Sequence, residues 1–90
     1  MLLLIDIGNT NIVVGCYENE KITQEARIAT DLIKTSDQYC MDLKNLLALY
    51  EIQREAVTGV IISSVVPPVL NSVRTAVMEL AGKKPLVVGP

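Results

Sequence analysis

The sequence predicts an α/β domain with a mixed five-stranded sheet, in the order β-β-β-α-β-α-β. Two observations carry this. Three strand-like segments separated by turn residues precede any helical period. Two helical apolar periods then follow, and each is paired with a short β-branched run. Strands alternating with helical patterns specify βαβ crossovers, so an antiparallel meander should lead into parallel strands.

Leu2, Leu3, Leu4 and Ile5 form a continuous apolar run, the pattern of a strand buried on both faces. Gly8 and Asn9 are turn residues suited to positive φ. Residues 12–17 are rich in β-branched side chains and read as a second strand, making a hairpin around Gly8 and Asn9. Across residues 22–30, Ile22, Ala26 and Ile28 fall at even positions, predicting a half-exposed third strand. Ser36 is a suitable N-cap, and Asp37 would face the positive end of a helix over residues 37–50. Tyr39, Leu43, Leu46, Leu47 and Tyr50 lie on one face of that helix.

Residues 57–64 contain Val60, Ile61 and Ile62, a buried strand that ends at Ser63 and Ser64. Pro67 and Pro68 mark a helix start, because the first turn needs no amide donor. Leu70, Val73, Val77, Leu80 and Ala81 give its apolar face, which is core or part of a dimer contact. Gly82 supplies a left-handed stop. Residues 86–88 form a last short strand, followed by a Gly89-Pro90 turn. A complete α/β layer would finish on another helix, so residues 1–90 are expected to be one incomplete domain. Marginal stability or self-association through an exposed sheet face is the corollary.

Composition narrows the function. Of 90 residues, half are apolar, enough for a core although a thin one. The net charge is −2 and the longest basic run is Lys83-Lys84, which argues against a duplex nucleic-acid surface. With no His, the chain offers no His metal site, His base or Ser-His-Asp triad. With no Phe or Trp, three scattered Tyr make no platform for single strands. Cys16 and Cys40 lack metal or redox spacing and read as reduced thiols. The opening apolar run stops at Asp6, too short for a signal peptide, and no run approaches a membrane span. A soluble cytoplasmic protein is expected.

One segment carries chemistry: Asp6, Ile7, Gly8, Asn9, Thr10 and Asn11. Gly8 allows close approach of the backbone to a ligand. The amides of Gly8, Asn9, Thr10 and Asn11 could line an anion-binding turn, and Thr10 and Asn11 add side-chain donors. A carboxylate beside an anion is repulsive unless a cation lies between them, and Mg²⁺, which keeps several waters, bridges carboxylate to phosphate. The segment therefore reads as a phosphate-binding hairpin with a metal-positioning Asp6. The same residues also fit an ordinary strand–turn–strand connection. A Walker loop is excluded because no Gly-Lys-Ser/Thr precedes a helix, and no G-x-G-x-x-G is present.

The opening MLLLIDIGNTNIVVGCYE resembles that of the type III pantothenate kinases, in the acetate kinase/sugar kinase/Hsp70/actin superfamily. Its phosphate-1 motif Asp-x-Gly-Asn-Thr stands here as Asp6-Ile7-Gly8-Asn9-Thr10. Asn9 resembles this family more than the sugar kinases. Ile62-Ser63-Ser64-Val65-Val66-Pro67 and the segment from Lys83 to Pro90 extend the likeness over the whole chain.

The resemblance implies a ribonuclease-H-like (actin-like ATPase) domain and an ATP-dependent kinase. It would phosphorylate the terminal hydroxyl of pantothenate to 4'-phosphopantothenate, the first step of coenzyme A synthesis. ATP would sit on the hairpin formed by Asp6, Ile7, Gly8, Asn9, Thr10, Asn11, Ile12 and Val13, with Asp6 positioning Mg²⁺ through water. Family members also use a monovalent cation (K⁺ or NH₄⁺) and form homodimers, with the substrate site completed near the dimer interface. The family's Gly-x-Asp-Arg segment, which carries the general base and a pantothenate-holding arginine, does not occur in residues 1–90. The second phosphate motif, the adenosine motif and a second domain are likewise not found within residues 1–90. The 90-residue chain by itself is expected to be inactive.

Two other readings compete: a non-catalytic regulatory or binding module of the same family (a transcription accessory factor), or another small-molecule kinase of the superfamily. Several further residues stand between functional and structural roles. Ser63 and Ser64 could face phosphate or substrate, or serve as turn caps. Asp31 and Asp37 read as surface or cap carboxylates rather than a pair, and Thr30 and Lys34 as a solvated connection rather than ligand contacts.

Overall fold

The computed structural model describes residues 1–89; the Pro90 half of the expected Gly89-Pro90 turn lies outside them. Strands β1 (Leu2–Ile7), β2 (Asn11–Glu18) and β3 (Lys21–Ala29) form an antiparallel meander. Helix α1 (Ser36–Leu49), a 3₁₀ turn (Arg54–Ala56), β4 (Gly59–Ser64), helix α2 (Pro67–Ala81) and β5 (Leu86–Val88) follow. The sheet order is β3-β2-β1-β4-β5, with β4 parallel to β1 and β5 parallel to β4. The element order and mixed sheet are those expected from the sequence.

Both helices pack on one face of the sheet. Leu3, Ile5 and Ile7 of β1, Ile12, Val14 and Cys16 of β2, and Val60 and Ile62 of β4 point into this core. Tyr39, Leu43 and Leu47 of α1 meet them, as do Val69, Val73, Ala76, Val77 and Leu80 of α2. Each fully buried aliphatic side chain contributes about 1.5–3 kcal/mol.

The two-sided burial expected for β1 is not observed. Leu2 and Leu4 are only half-buried, as is Ile61 of β4. Successive strand residues face opposite sides, and among the described residues nothing covers the second face. Ile22 belongs to that face too, at 51% exposure, because β3 slips in register. Gln24 pairs with Cys16 but Ile22 pairs with Tyr17, so Thr23 is the extra residue of a bulge. The bulge turns Ile22 away from the side where Ala26 and Ile28 lie, which the even spacing alone could not reveal.

The cap of α1 is Thr35 rather than Ser36. Thr35 Oγ1 accepts from the Gln38 amide at 3.2 Å, and Gln38 Oε1 accepts from the Thr35 amide at 2.9 Å. This reciprocal box needs a Gln or Glu three residues after the cap. Counted from Ser36, that position is Tyr39, which is wholly buried. Leu46 and Tyr50 are half-buried at the margin of the helix face. In α2, Val69 and Ala76 join the buried stripe while Leu70 is half-buried. Gly82 ends α2 with φ 65°, as its sequence position predicts. The 3₁₀ turn before β4 has no clear sequence signal.

Candidate functional site

Because β1 lies at the centre of the sheet, its C-terminal end is flanked on both sides. Asp6 pairs with Val13 of β2 and Ser63 of β4, and the register puts these three side chains on the uncovered face. The Asp6 carboxylate is exposed, which spares an unpaired charge the cost of burial. Ser63 Oγ donates to Asp6 Oδ1 at 2.9 Å. A shallow depression of about 220 Å³ runs from Asp6 and Ser63 along Leu4, Val13, Gly15 and Ile61.

The β1–β2 connection is Gly8, Asn9 and Thr10, closed by the Gly8 amide donating to the Asn11 carbonyl at 2.9 Å. That bond corrects two expectations. The Gly8 amide is consumed inside the turn and cannot join an anion cradle. Nor does the turn use positive φ, which occurs at Asn19, Glu20, Glu51 and Gly82 instead. Glycine is needed at position 8 for room: a Cβ there would stand 3.1 Å from the Asn11 carbonyl oxygen. The Asn9 and Thr10 amides, by contrast, meet no carbonyl of the turn. Asn9, Thr10 and Asn11 are exposed at the tip, whereas Ile7 and Ile12 turn their side chains into the core and anchor the hairpin.

The turn is braced by a residue read from sequence as solvated connection. Thr30 Oγ1 donates to the Gly8 carbonyl at 2.7 Å, and the Thr30 amide donates to the Thr10 carbonyl at 3.0 Å. Tyr39 extends the brace into the core, its hydroxyl donating to the Asp31 carbonyl at 2.8 Å and accepting from the Asp31 amide at 3.0 Å. Only the register of β3 brings Thr30 beneath the turn, and linear spacing carries no sign of it.

Ser64, Lys34, Asp31 and Asp37 take structural roles. Ser64 Oγ accepts from the Val66 amide at 2.9 Å at the entry to α2. Lys34 pairs with Asp42 at 2.6 Å and lies 5.5 Å from the Tyr39 ring centre. That hydrogen bond raises the Lys34 pKa. Asp31 Oδ1 accepts from the Ile33 amide at 2.8 Å, and Asp37 sits in the first turn of α1. Among the described residues, no three Cys, Asp or Glu side chains cluster as a metal site, so Asp6 could hold a cation only together with ligand oxygens or water.

A larger cavity, about 870 Å³, lies between α1, the 3₁₀ turn and α2, away from the hairpin. Its rim carries Asp37, Glu51, Glu55 and Glu79 against Lys44 and Arg54, a balance that repels polyanions. The turn between β1 and β2 differs from this cavity in carrying one carboxylate, Asp6, and tip amides that meet no carbonyl of the turn.

The arrangement defines a class first. The backbone is similar to the Thermus thermophilus RuvC structure, with a TM-score of 0.62 at 18% identity, covering 99% of this chain and 61% of that one. It is thus a ribonuclease-H-like fold. Residues 2–90 match the family model described as type III pantothenate kinase, and the chain belongs to that family. A type III pantothenate kinase of Syntrophotalea carbinolica is 46% identical over 90 residues, and one of Exiguobacterium sibiricum is 42% identical. These alignments cover 100% of this chain but 35% and 36% of the relatives, so the chain spans about a third of their length.

Proposed function

We propose that this chain is the nucleotide-phosphate-binding domain of an ATP-dependent pantothenate kinase, which makes 4'-phosphopantothenate at the start of coenzyme A synthesis. The observation that carries this reading is the Asp6–Asn11 segment: an exposed carboxylate and, among the described residues, two tip amides that donate to no backbone carbonyl, in a chain of this family. The Asn9 and Thr10 amides bind phosphate oxygens, and the Thr10 and Asn11 side chains add donors. Asp6 holds Mg²⁺ through water, and its exposure leaves room for a hydrated ion. Mg²⁺, when bound, neutralises charge on the phosphate oxygens. Ile7, Gly8, Ile12 and Val13 fix the geometry of the hairpin.

Asp6 is the one carboxylate in residues 6–13, and its metal role leaves the general base to a part of the family's length beyond residues 1–90. The same holds for the pantothenate contacts, and the whole kinase takes a monovalent cation (K⁺ or NH₄⁺) and forms a homodimer. A cytoplasmic location fits this metabolic role, and no helix among the described residues is long and apolar enough to cross a membrane.

Titration calorimetry with ATP, with and without Mg²⁺, tests the assignment. Wild-type chain is expected to bind Mg·ATP more tightly than free ATP, and Asp6→Asn is expected to lose that advantage. Equal Mg·ATP affinity in Asp6→Asn and wild type would contradict the reading.

A further inference from the structure

We infer that Ser63 is a positioning residue for the Asp6 carboxylate, fixing which oxygen faces the metal-bound phosphate. The inference rests on the hairpin reading above and adds a residue from a different strand.

The geometry comes from the parallel pairing of β1 and β4. Asp6 and Ser63 are register partners, so both side chains leave the same face of adjacent strands. Ser63 Oγ reaches Asp6 Oδ1 at 2.9 Å, a charge-assisted hydrogen bond. The contact joins residues 57 positions apart, so it forms only when β4 has docked on β1. Ser63 is half-buried while Asp6 is exposed, so the more constrained side chain holds the freer one.

An exposed aspartate on a strand samples several χ1 rotamers. A hydroxyl held on the neighbouring strand selects those that put Oδ1 against it. Oδ2 then has a defined direction, away from Ser63, and remains free to accept from water on a hydrated cation. On the other side Val13 is apolar and offers no competing donor. Ser64 does not share the role, because its hydroxyl is occupied with the Val66 backbone. The two adjacent serines therefore divide: Ser64 shapes the entry to α2 and Ser63 serves Asp6.

The test uses Mn²⁺ in place of Mg²⁺, with water-proton relaxation reporting formation of the Mn·ATP complex on the full 90-residue chain. Ser63→Ala is expected to weaken Mn·ATP binding about three- to tenfold, the net size of an ordinary solvent-exposed hydrogen bond, while metal-free ATP binds as in wild type. Ser63→Thr, which keeps the hydroxyl and suits a strand, is expected to restore binding. In the ligand-free protein, the Hα–Hβ couplings of Asp6 are expected to shift from one rotamer toward an average in Ser63→Ala only. A structural role for Ser63 would leave these couplings unchanged. Wild-type couplings and Mn·ATP affinity in Ser63→Ala, together with loss of Mn·ATP binding in Asp6→Asn, would overturn the inference and leave the hairpin reading standing. Wild-type Mn·ATP affinity in Asp6→Asn would instead remove the hairpin reading.

Discussion

The Thr30 hydroxyl donates to the Gly8 carbonyl at 2.7 Å, tying the end of β3 to the turn between β1 and β2. With the Thr30 amide bonded to Thr10, both sides of the turn are held by one residue. The tip residues Asn9 and Thr10 therefore sit on a backbone fixed at two points, which under the proposed function would lower the ordering cost of binding phosphate.

Thr30→Val keeps the β-branched shape and removes the hydroxyl. It is expected to cost about 1 kcal/mol in urea unfolding, the net value of a hydrogen bond. The affinity for Mg·ATP should fall by more than this variant's loss of global stability alone would cause, because the turn carrying the tip amides loosens. Unchanged affinity would show that the brace serves the fold only.

Gly8→Ala brings a Cβ to 3.1 Å from the Asn11 carbonyl oxygen. That oxygen also accepts the turn-closing bond from the Gly8 amide, so it cannot retreat without stretching the bond. A loss of about 1 kcal/mol in stability is expected, together with weaker nucleotide binding. Thermal unfolding and calorimetry on the same variant read both.

Tyr39→Phe preserves the buried ring and deletes two hydrogen bonds to the Asp31 backbone. Leaving a partly buried amide and carbonyl without partners costs about 1–3 kcal/mol. Hydrogen exchange should show faster exchange at Asp31 and also at Thr30, because the brace is anchored through this link.

Alkaline pH should destabilise the chain. Burial pushes the Cys16 thiol above its ordinary value of 9.0. Desolvation, followed by Glu79 and Asp37, does the same for Cys40. The folded state then keeps protons that the unfolded state releases. Stability is full below the ordinary thiol value and falls as pH rises from there through the folded value. Lys34, raised by its hydrogen bond to Asp42, adds to the same trend above 10.5. Urea midpoints measured across this range should decline, and Cys16→Ala should flatten part of the decline.

Much of the fold was legible in the chain because it rests on local chemistry. The Gly8-Asn9 break between β-branched runs, the Pro67-Pro68 helix start and the Gly82 stop each act within a few residues. The Asp6–Asn11 segment stood out for the same reason. What sequence alone could not supply was register. The Thr23 bulge, the placement of Thr30 under the turn and the meeting of Ser63 with Asp6 all depend on which residues pair across strands. The Thr35 cap was within reach, since Gln38 completes its box, but the adjacent Ser36-Asp37 offered an equally plausible start.

The most direct test of the hairpin assignment is a backbone amide NMR titration with Mg·ATP. The largest shift changes are expected at Asn9, Thr10 and Asn11, with smaller ones at Asp6 and Ser63. If the largest changes fell instead on the cavity lined by Lys44, Ile52 and Arg54, with the hairpin amides unmoved, the assignment would be wrong.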